Sequence, residues 1–465
     1  MTNSQSKTSL TQLHLGLGSF HRAHQAVYQQ NLHDKGDTDW QIVAGNIRPD
    51  MQSTIDALKE QNGEYTLETV NSAGERHYQT ISAIKSIIDF DKQLKGLTEI
   101  AVNPNTRIIS FTVTEAGYYL DEKDQLVESY ADLSNDIAGK DPKTIYGAMT
   151  NLLRARMEQN AGPITILNCD NLRSNGSRFK KALLNFIERI EDTELLEWVT
   201  NNTSAPNSMV DRITPRPTDD VAERILAATG KRDEAPVMGE TFIQWVIEDE
   251  FIAQRPKWEN VGVEMVEDVM PYEEAKIRVL NGTHSCIAWA GTLKGYQFIH
   301  EGLQDNEVRQ LAFDYVTDDV IPCLSSPENP SPVDLEKYRD TVLDRFSNPN
   351  IEDTNQRVAM DAFSKIPGFI LPTISDALSA GRTINSVSIL PALFLAFLVR
   401  QQRGEISFEY EDQAMDEASA KAICSSDDPV KALANDRVLF RSLAGNEQLI
   451  ASLRTAYQRV NDLIQ

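Results

Sequence analysis

The stretch richest in side chains that can move a proton is PYEEAKIRVLNGTHSCIAWAGTL, residues 271–293, which begins polar and ends apolar and carries Lys276, Asn281 and His284. If it is read as an α-helix at about 100° per residue, His284 lies roughly 80° and Asn281 roughly 140° around from Lys276, so all three can border one cleft. Taken singly, each has an ordinary structural explanation: a helical lysine is usually solvated, and a lone histidine or asparagine is usually a hydrogen-bonded polar group. An amine, an amide and an imidazole converging on one cleft point instead to proton-transfer chemistry. Apolar residues from Cys286 onward would bury the remainder of the helix, with Cys286 itself a small filler.

A second constellation lies near the start of the chain. Gly16-Leu17-Gly18-Ser19-Phe20-His21 supplies two of the three glycines of a dinucleotide fingerprint, with His21 where the third would stand. Residues 11–15 before it read as a strand and residues 21–32 after it as a helix, the context the fingerprint requires. Glycines there allow a tight turn and let backbone N–H groups approach a pyrophosphate; a plain strand-to-helix turn is the competing reading. The candidate for holding the adenosine ribose is Asp50, later than the fingerprint predicts, and it could equally cap the helix read over residues 51–61. Arg48 could accept a 2′-phosphate, so NADP competes with the expected NAD. His21 and His24 could serve only to pack the first helix against the turn.

These residues need elements to position them. Residues 11–15, 40–44, 107–114 and 164–168 read as strands, with helices filling the gaps, which predicts an α/β layer with a mostly parallel, Rossmann-like sheet. Residues 218–230 form a well-punctuated helix, with Thr218 as N-cap and Gly230 as stop, and residues 263–269 read as one more strand. Beyond Pro271 the pattern turns helical, over residues 272–300, 306–320, 335–346, 389–403 and 449–464. A chain of 465 residues exceeds what one core usually serves. Two domains are therefore expected, a dinucleotide-binding one over residues 1–270 and a mainly helical substrate and catalytic one over residues 271–465.

The formal net charge of −24 disfavours nucleic acid and anionic membranes as partners and suits a small neutral substrate. Residues 1–10 lack the pattern of a secretory signal, and the longest apolar run, residues 389–399, is too short to span a bilayer and reads as a buried helix. The four cysteines are widely spaced, without a C-x-x-C pair, which argues against a zinc site or a disulfide framework. A metal-free cytoplasmic protein is expected.

The segments GLGSFHRAHQA, FTVTEAGYY, NCDNLRSNG, NSMVDRITP, MGETFIQWV and DTNQRVAMDAFSKIP, together with the K-x(4)-N-x(2)-H spacing at Lys276, cover nearly the whole chain. In them the sequence resembles the polyol-specific long-chain dehydrogenases. The resemblance implies a Rossmann-like domain and a helical domain with substrate between them, no metal, and a monomer. It matches Lys276 to the general base, Asn171 and Asn281 to amides that hold the reacting oxygen, and His284 to a substrate-orienting residue. Glu273 matches a proton relay to solvent; Asp211, Arg357 and Lys365 match the lining of the polyol site; Gly16 to Phe20 and Asp50 would hold NAD. The implied reaction is oxidation of a secondary hydroxyl of a polyol to a ketose, with D-arabinitol to D-xylulose expected. Mannitol oxidation and reduction of fructuronate or tagaturonate are the alternatives within the family.

Physical chemistry supports such a site independently. A hydride leaves a secondary alcohol carbon only as the hydroxyl proton departs, so a base must reach that oxygen. A lysine serves if its free pKa of ~10.4 falls, which desolvation and cations such as Arg357 or Lys365 would bring about. Two amide donors would then stabilise the alkoxide as an oxyanion hole does. Structural readings compete at other positions: an Asp211–Arg212 ion pair beneath Pro215, a turn or interface role for Glu240, and core packing for Trp245 and Trp289. An NAD-dependent glycosidase, which leans on a divalent metal, and a non-catalytic NAD-binding sensor are the alternatives from other classes.

Overall fold

The computed structural model describes residues 9–121 and 123–464. The chain forms two compact units, Met1–Val70 with Arg76–Met270, and Asn71–Glu75 with Pro271–Gln465. The first is built on six strands: β1 (Leu10–Leu15), β2 (Trp40–Gly45), β3 (Ile84–Ile88), β4 (Thr106–Phe111), β5 (Ile164–Asn168) and β6 (Thr203–Ser204). They lie side by side in the order β3-β2-β1-β4-β5-β6, every neighbouring pair parallel. This is the Rossmann-like sheet the sequence predicts, and its strand order reverses between β1 and β4, which opens a crevice at their carboxyl ends.

Alternate side chains supply the two faces. Leu13, Leu15, Ile109, Phe111 and Ile166 join one apolar layer, while Ile42, Ala44 and Ile84 join another. Burial on both faces is what parallel strands require.

The first unit holds more strand than expected. Residues 65–88 are not helical: Tyr65–Val70 pairs with Arg76–Ile81 antiparallel and with Val237–Glu240 parallel. The alternation in YTLETV and RHYQTI, rich in β-branched and aromatic residues, favours a pleated surface. A further sheet sets Gln244–Glu248 between Ser208–Asp211 and Glu264–Val266, so of the strand read over residues 263–269 only three residues pair. The single helix read over residues 21–32 is two, Ser19–Ala23 and Gln25–Asp34, broken at His24, whose φ of −127° and ψ of −85° leave the helical region. Its ring stacks on Phe20 and is 2.8 Å from the Gln244 carbonyl, the latter a tertiary contact that outweighs local helix preference. Thr218 and Gly230 bound their helix as read, Gly230 with φ +71°.

The second unit is helical around Ile389–Gln402. Every residue from Ile389 to Leu398 is buried, and Gly282–Leu293 and Glu447–Leu463 pack against this helix. Pro391 sits in its first turn, where no internal hydrogen bond is lost. The helix read over residues 272–300 divides into Met270–Ala275, a π-helical turn Lys276–Asn281, and Gly282–Leu293, and it ends at Gly295, whose φ is +85°. Tyr315–Val320 and Ile366–Ile370 are also π-helical, and both pack against Lys276–Asn281. No helix among the described residues is long and apolar enough to cross a membrane.

Candidate active site

At the carboxyl ends of β1, β2, β4 and β5 lies a cavity of about 800 Å³, within the usual range for small-molecule sites. Its lining includes all of Gly16, Leu17, Gly18, Ser19, Phe20 and Asp50, together with Arg48, Thr112, Asp170 and Asn171. The structure thus brings every predicted cofactor residue, and one predicted catalytic amide, to one place. Gly16 has φ +105°, and a β-carbon there would run into the Thr112 carbonyl, so only glycine fits. At Gly18 a β-carbon would meet nothing within 4 Å, which leaves the backbone open to a ligand. Such a turn suits a pyrophosphate, which backbone N–H groups can approach where no side chain intervenes.

A buried chain of hydrogen bonds braces the turn from behind. Gln12 Nε2 donates to Ser110 Oγ at 2.8 Å, Ser110 Oγ is 2.9 Å from His14 Nδ1, and His14 Nε2 is 3.1 Å from the Gly16 carbonyl. With the proton on Nε2 every link is satisfied. Burial lowers the His14 pKa to about 3, so the ring is neutral. The Gly16 carbonyl also accepts from Thr112 Oγ1 and Gly18 N, which fixes its direction away from the open face. His21, in place of the third glycine, stacks on His14 with ring centroids 3.4 Å apart and planes 12° apart. The departure from the fingerprint is therefore filled by a ring-on-ring contact beneath the turn. The helix Gln52–Glu60 is capped by Met51 without a side-chain bond, so Asp50 is not its cap; Asp50 stays exposed at the cavity edge.

Asn171 sits in a turn after β5 that Asp170 holds in shape. The Asp170 carboxylate accepts from the backbone N–H of Val113 and Thr114 and from Tyr118 at 2.6 Å. Burial pushes its pKa up against the lowering by these donors. Asn175 Nδ2 ties the carbonyls of Asn168, Asp170 and Ser208, so NCDNLRSNG is a self-bracing loop that leaves Asn171 and Ser174 exposed. Asp211 is buried at the end of its strand. Arg212, next to it, donates to the carbonyls of Ala23 and Glu240, and Glu240 accepts from Ile213 N at 2.6 Å, so Arg212 and Glu240 stitch strands. Trp245 and Trp289 are fully buried, as read.

In the second unit Glu273 and Lys276 are both buried. The π turn changes their geometry from the helical estimate. Gly282 N–H bonds to the Ile277 carbonyl, five residues back. Such a turn holds about 4.4 residues, roughly 80° each, so Asn281 comes to within roughly 50° of Lys276 where an α-helix leaves roughly 140°. Three further α-helical steps bring His284 close to the line of Lys276, which gathers all three on one side more tightly than the sequence suggested. Tyr315 holds the turn open: its hydroxyl donates to the Arg278 carbonyl at 2.8 Å and occupies the space a β-carbon on Gly282 would need. Arg278 is anchored to Glu274 and Asp376.

His284 Nε2 lies 3.0 Å from Asp353, and its ring stacks on Phe346 at 4.3 Å. Burial lowers its pKa, with Asp353 working the other way, which favours the neutral ring beside that carboxylate. Asp353 also takes both Nε and Nη2 of Arg357, at 2.8 and 2.7 Å. Although burial works upward on it, His284 and Arg357 hold its pKa well below the usual carboxylate range. Lys365 Nζ donates to the Val358 carbonyl, and burial lowers its pKa to about 8. Reasoning from sequence missed Asp353, His14 and Asp170; the i,i+4 spacing of Asp353 and Arg357 was the available signal for the first. Among the described residues no group of acidic, histidine or cysteine side chains could hold a metal.

A six-stranded parallel sheet with a glycine turn at its switch point defines a dinucleotide-binding unit, here joined to a helical unit that carries a buried lysine. Family models for the mannitol dehydrogenase Rossmann domain and C-terminal domain match residues 11–260 and 268–461, and the chain belongs to this family of dehydrogenases. It is 52% identical to D-arabinitol 4-dehydrogenase of Ralstonia nicotianae, across 99% of this chain and 98% of that one. It is 48% identical to D-arabinitol 4-dehydrogenase of Klebsiella pneumoniae, across 98% and 99%. The solved ternary complex of Pseudomonas fluorescens mannitol 2-dehydrogenase with NAD and D-mannitol superposes with a TM-score of 0.81 at 32% identity, covering 98% of this chain and 94% of that one.

Proposed function

We propose that the protein is an NAD-dependent polyol dehydrogenase that oxidises D-arabinitol to D-xylulose. What carries the reading is full-length identity of 52% and 48% to two D-arabinitol 4-dehydrogenases. Residues 1–270 bind the dinucleotide and residues 271–465 supply the catalytic lysine; the protein acts in the cytoplasm, as a monomer. Gly16, Leu17, Gly18, Ser19 and Phe20 cradle the pyrophosphate and Asp50 the adenosine ribose. Bound NAD supplies the hydride acceptor.

The chain's own residues manage the proton and the charge. Lys276, as the free amine, takes the proton of the reacting hydroxyl as the carbon gives up its hydride. Asn171 and Asn281 donate amide hydrogens to the oxygen while it carries alkoxide charge. Glu273, one helical turn before Lys276, passes the proton outward. His284, beside the Asp353 carboxylate, orients a neighbouring hydroxyl, and Asp211, Arg357 and Lys365 line the polyol. A buried lysine on a π turn favours this assignment, since such turns recur at functional sites.

The test is a substrate panel with NADH formation followed by absorbance. D-Arabinitol should give the highest kcat/KM, ahead of D-mannitol and D-sorbitol, without loss of activity in a chelator. No turnover of any polyol, or a preference for fructuronate or tagaturonate in the reductive direction, sinks the proposal.

A further inference from the structure

We propose that Asp132, which stands behind the cofactor cavity and not in its lining, sets the preference for NAD over NADP by occupying the two cations at the ribose end. The inference rests on the glycine-turn cavity being the cofactor site. In a Rossmann unit the end of β2 is where the adenosine ribose is read, and here that end carries Arg48 and Asp50. Lys143 lines the same cavity beside Arg48. Left to itself, a pair of cations there would welcome a 2′-phosphate, which brings about two negative charges.

The structure ties both cations to one carboxylate. Arg48 Nη2 donates to Asp132 Oδ2 at 3.1 Å and to the Tyr119 hydroxyl at 2.6 Å, while its Nε donates to the Lys143 carbonyl at 2.9 Å. Lys143 Nζ lies 3.6 Å from Asp132 Oδ1. Arg48 is thereby turned toward Tyr119 and Asp132, with Nε and Nη2 engaged. Asp132 lies in the first turn of the helix Ala131–Ile137, and that helix is locked to the cavity wall by Asp136, which accepts from Lys143 N, Thr144 N and Thr144 Oγ1. A β-carbon on Gly147 would collide with the Asp136 carboxylate, so the helix approaches as closely as the chain allows. Counting formal charges, Arg48 and Lys143 are balanced by Asp132 and Asp50. A 2′-hydroxyl meets a neutral, polar edge with Asp50 as acceptor; a 2′-phosphate meets Asp50 beside cations whose charge Asp132 already offsets.

Replacing Asp132 by an amide keeps the shape and leaves one net positive charge facing the ribose. The test is titration of the full-length protein with NADH and with NADPH, followed by cofactor fluorescence or calorimetry. Asp132→Asn should tighten NADPH about five- to tenfold and leave NADH within about twofold. Asp132→Asn combined with Arg48→Gln should return the ratio toward that of the native protein. A merely structural role would weaken both cofactors together and would not be reversed by the second change, and either result overturns the proposal. Lys143→Gln, which leaves Asp132 in place, provides a separate arm if Asp132→Asn folds poorly: it should widen the NADH preference about threefold, and an unchanged ratio counts against the idea. Gly18→Ala separates the two layers of the argument. If it leaves both cofactors bound as before, the cavity is not the cofactor site; if it weakens both while Asp132→Asn leaves their ratio unchanged, Asp132 alone has been misread.

Discussion

The glycine turn of the first unit and the π turn of the second are built in opposite ways. At Gly16 and Gly18 side chains are taken away so that backbone can be presented, and the supporting residues, His14, Ser110 and Thr112, are neutral, the first two fully buried. Around Lys276 the backbone is given an extra residue per turn, and charged side chains are packed in: Glu273, Lys276, Asp353 and Lys365 are all wholly or largely buried. The first arrangement should fail through shape and the second through charge.

That contrast can be broken most sharply at Lys276. Lys276→Ala should lower kcat about 10²- to 10⁴-fold at neutral pH while NADH binding stays within about twofold, because it removes the base and leaves the glycine turn intact. Steady-state kinetics beside an NADH titration decide this, and a variant that turns over normally would remove the lysine from the mechanism. Next in size, Gly16→Ala should cost both stability and binding, at about 1–3 kcal/mol in unfolding, since the β-carbon meets the Thr112 carbonyl and the backbone is left-handed. Gly18→Ala should leave the melting temperature in place and weaken NADH about tenfold. Equal behaviour of the two glycine variants would erase the distinction between a turn residue and a contact residue.

Smaller effects sharpen the charged side of the comparison. Asp353→Asn should lower kcat about tenfold with cofactor affinity unchanged, because His284 loses the carboxylate charge 3.0 Å from its ring. Lys365 has a folded-state pKa of about 8, below its unfolded value. The folded protein therefore gives up this proton earlier than the unfolded chain, so the site opposes folding fully below pH 8 and that opposition is relieved as pH climbs toward the unfolded value. Melting curves of native protein and Lys365→Met from pH 8 to 10 should diverge by about 2–4 °C in favour of the native protein. Parallel curves would mean that the ammonium is not desolvated.

How much of this was readable in the residues depended on the range of the interaction. The strands β1, β2, β4 and β5 and the glycine turn are short-range patterns, and the K-x(4)-N-x(2)-H spacing puts Lys276, Asn281 and His284 on one segment. The hairpin of Tyr65–Val70 and Arg76–Ile81 was overlooked, although its alternation is equally local. Other features depend on distant partners. His14 gains its role from Ser110, 96 positions away, and Asp353 meets His284 only once two helices pack. The break at His24 is imposed by Gln244. The π turn lay hidden for a different reason: KIRVLN has the composition of an ordinary helix, and what opens the turn is the Tyr315 hydroxyl beside Gly282.

That last feature makes the segment sensitive to its length as well as its composition. A π turn is an α-helix with one residue in excess, so deleting a single residue between Lys276 and Asn281 would let the helix relax to its ordinary pitch and swing everything after it by about 100°. Every side chain proposed as catalytic could survive such a deletion and the set would still be scattered. In a lineage descended from this chain, substitutions in the stretch should therefore be far more common than gaps.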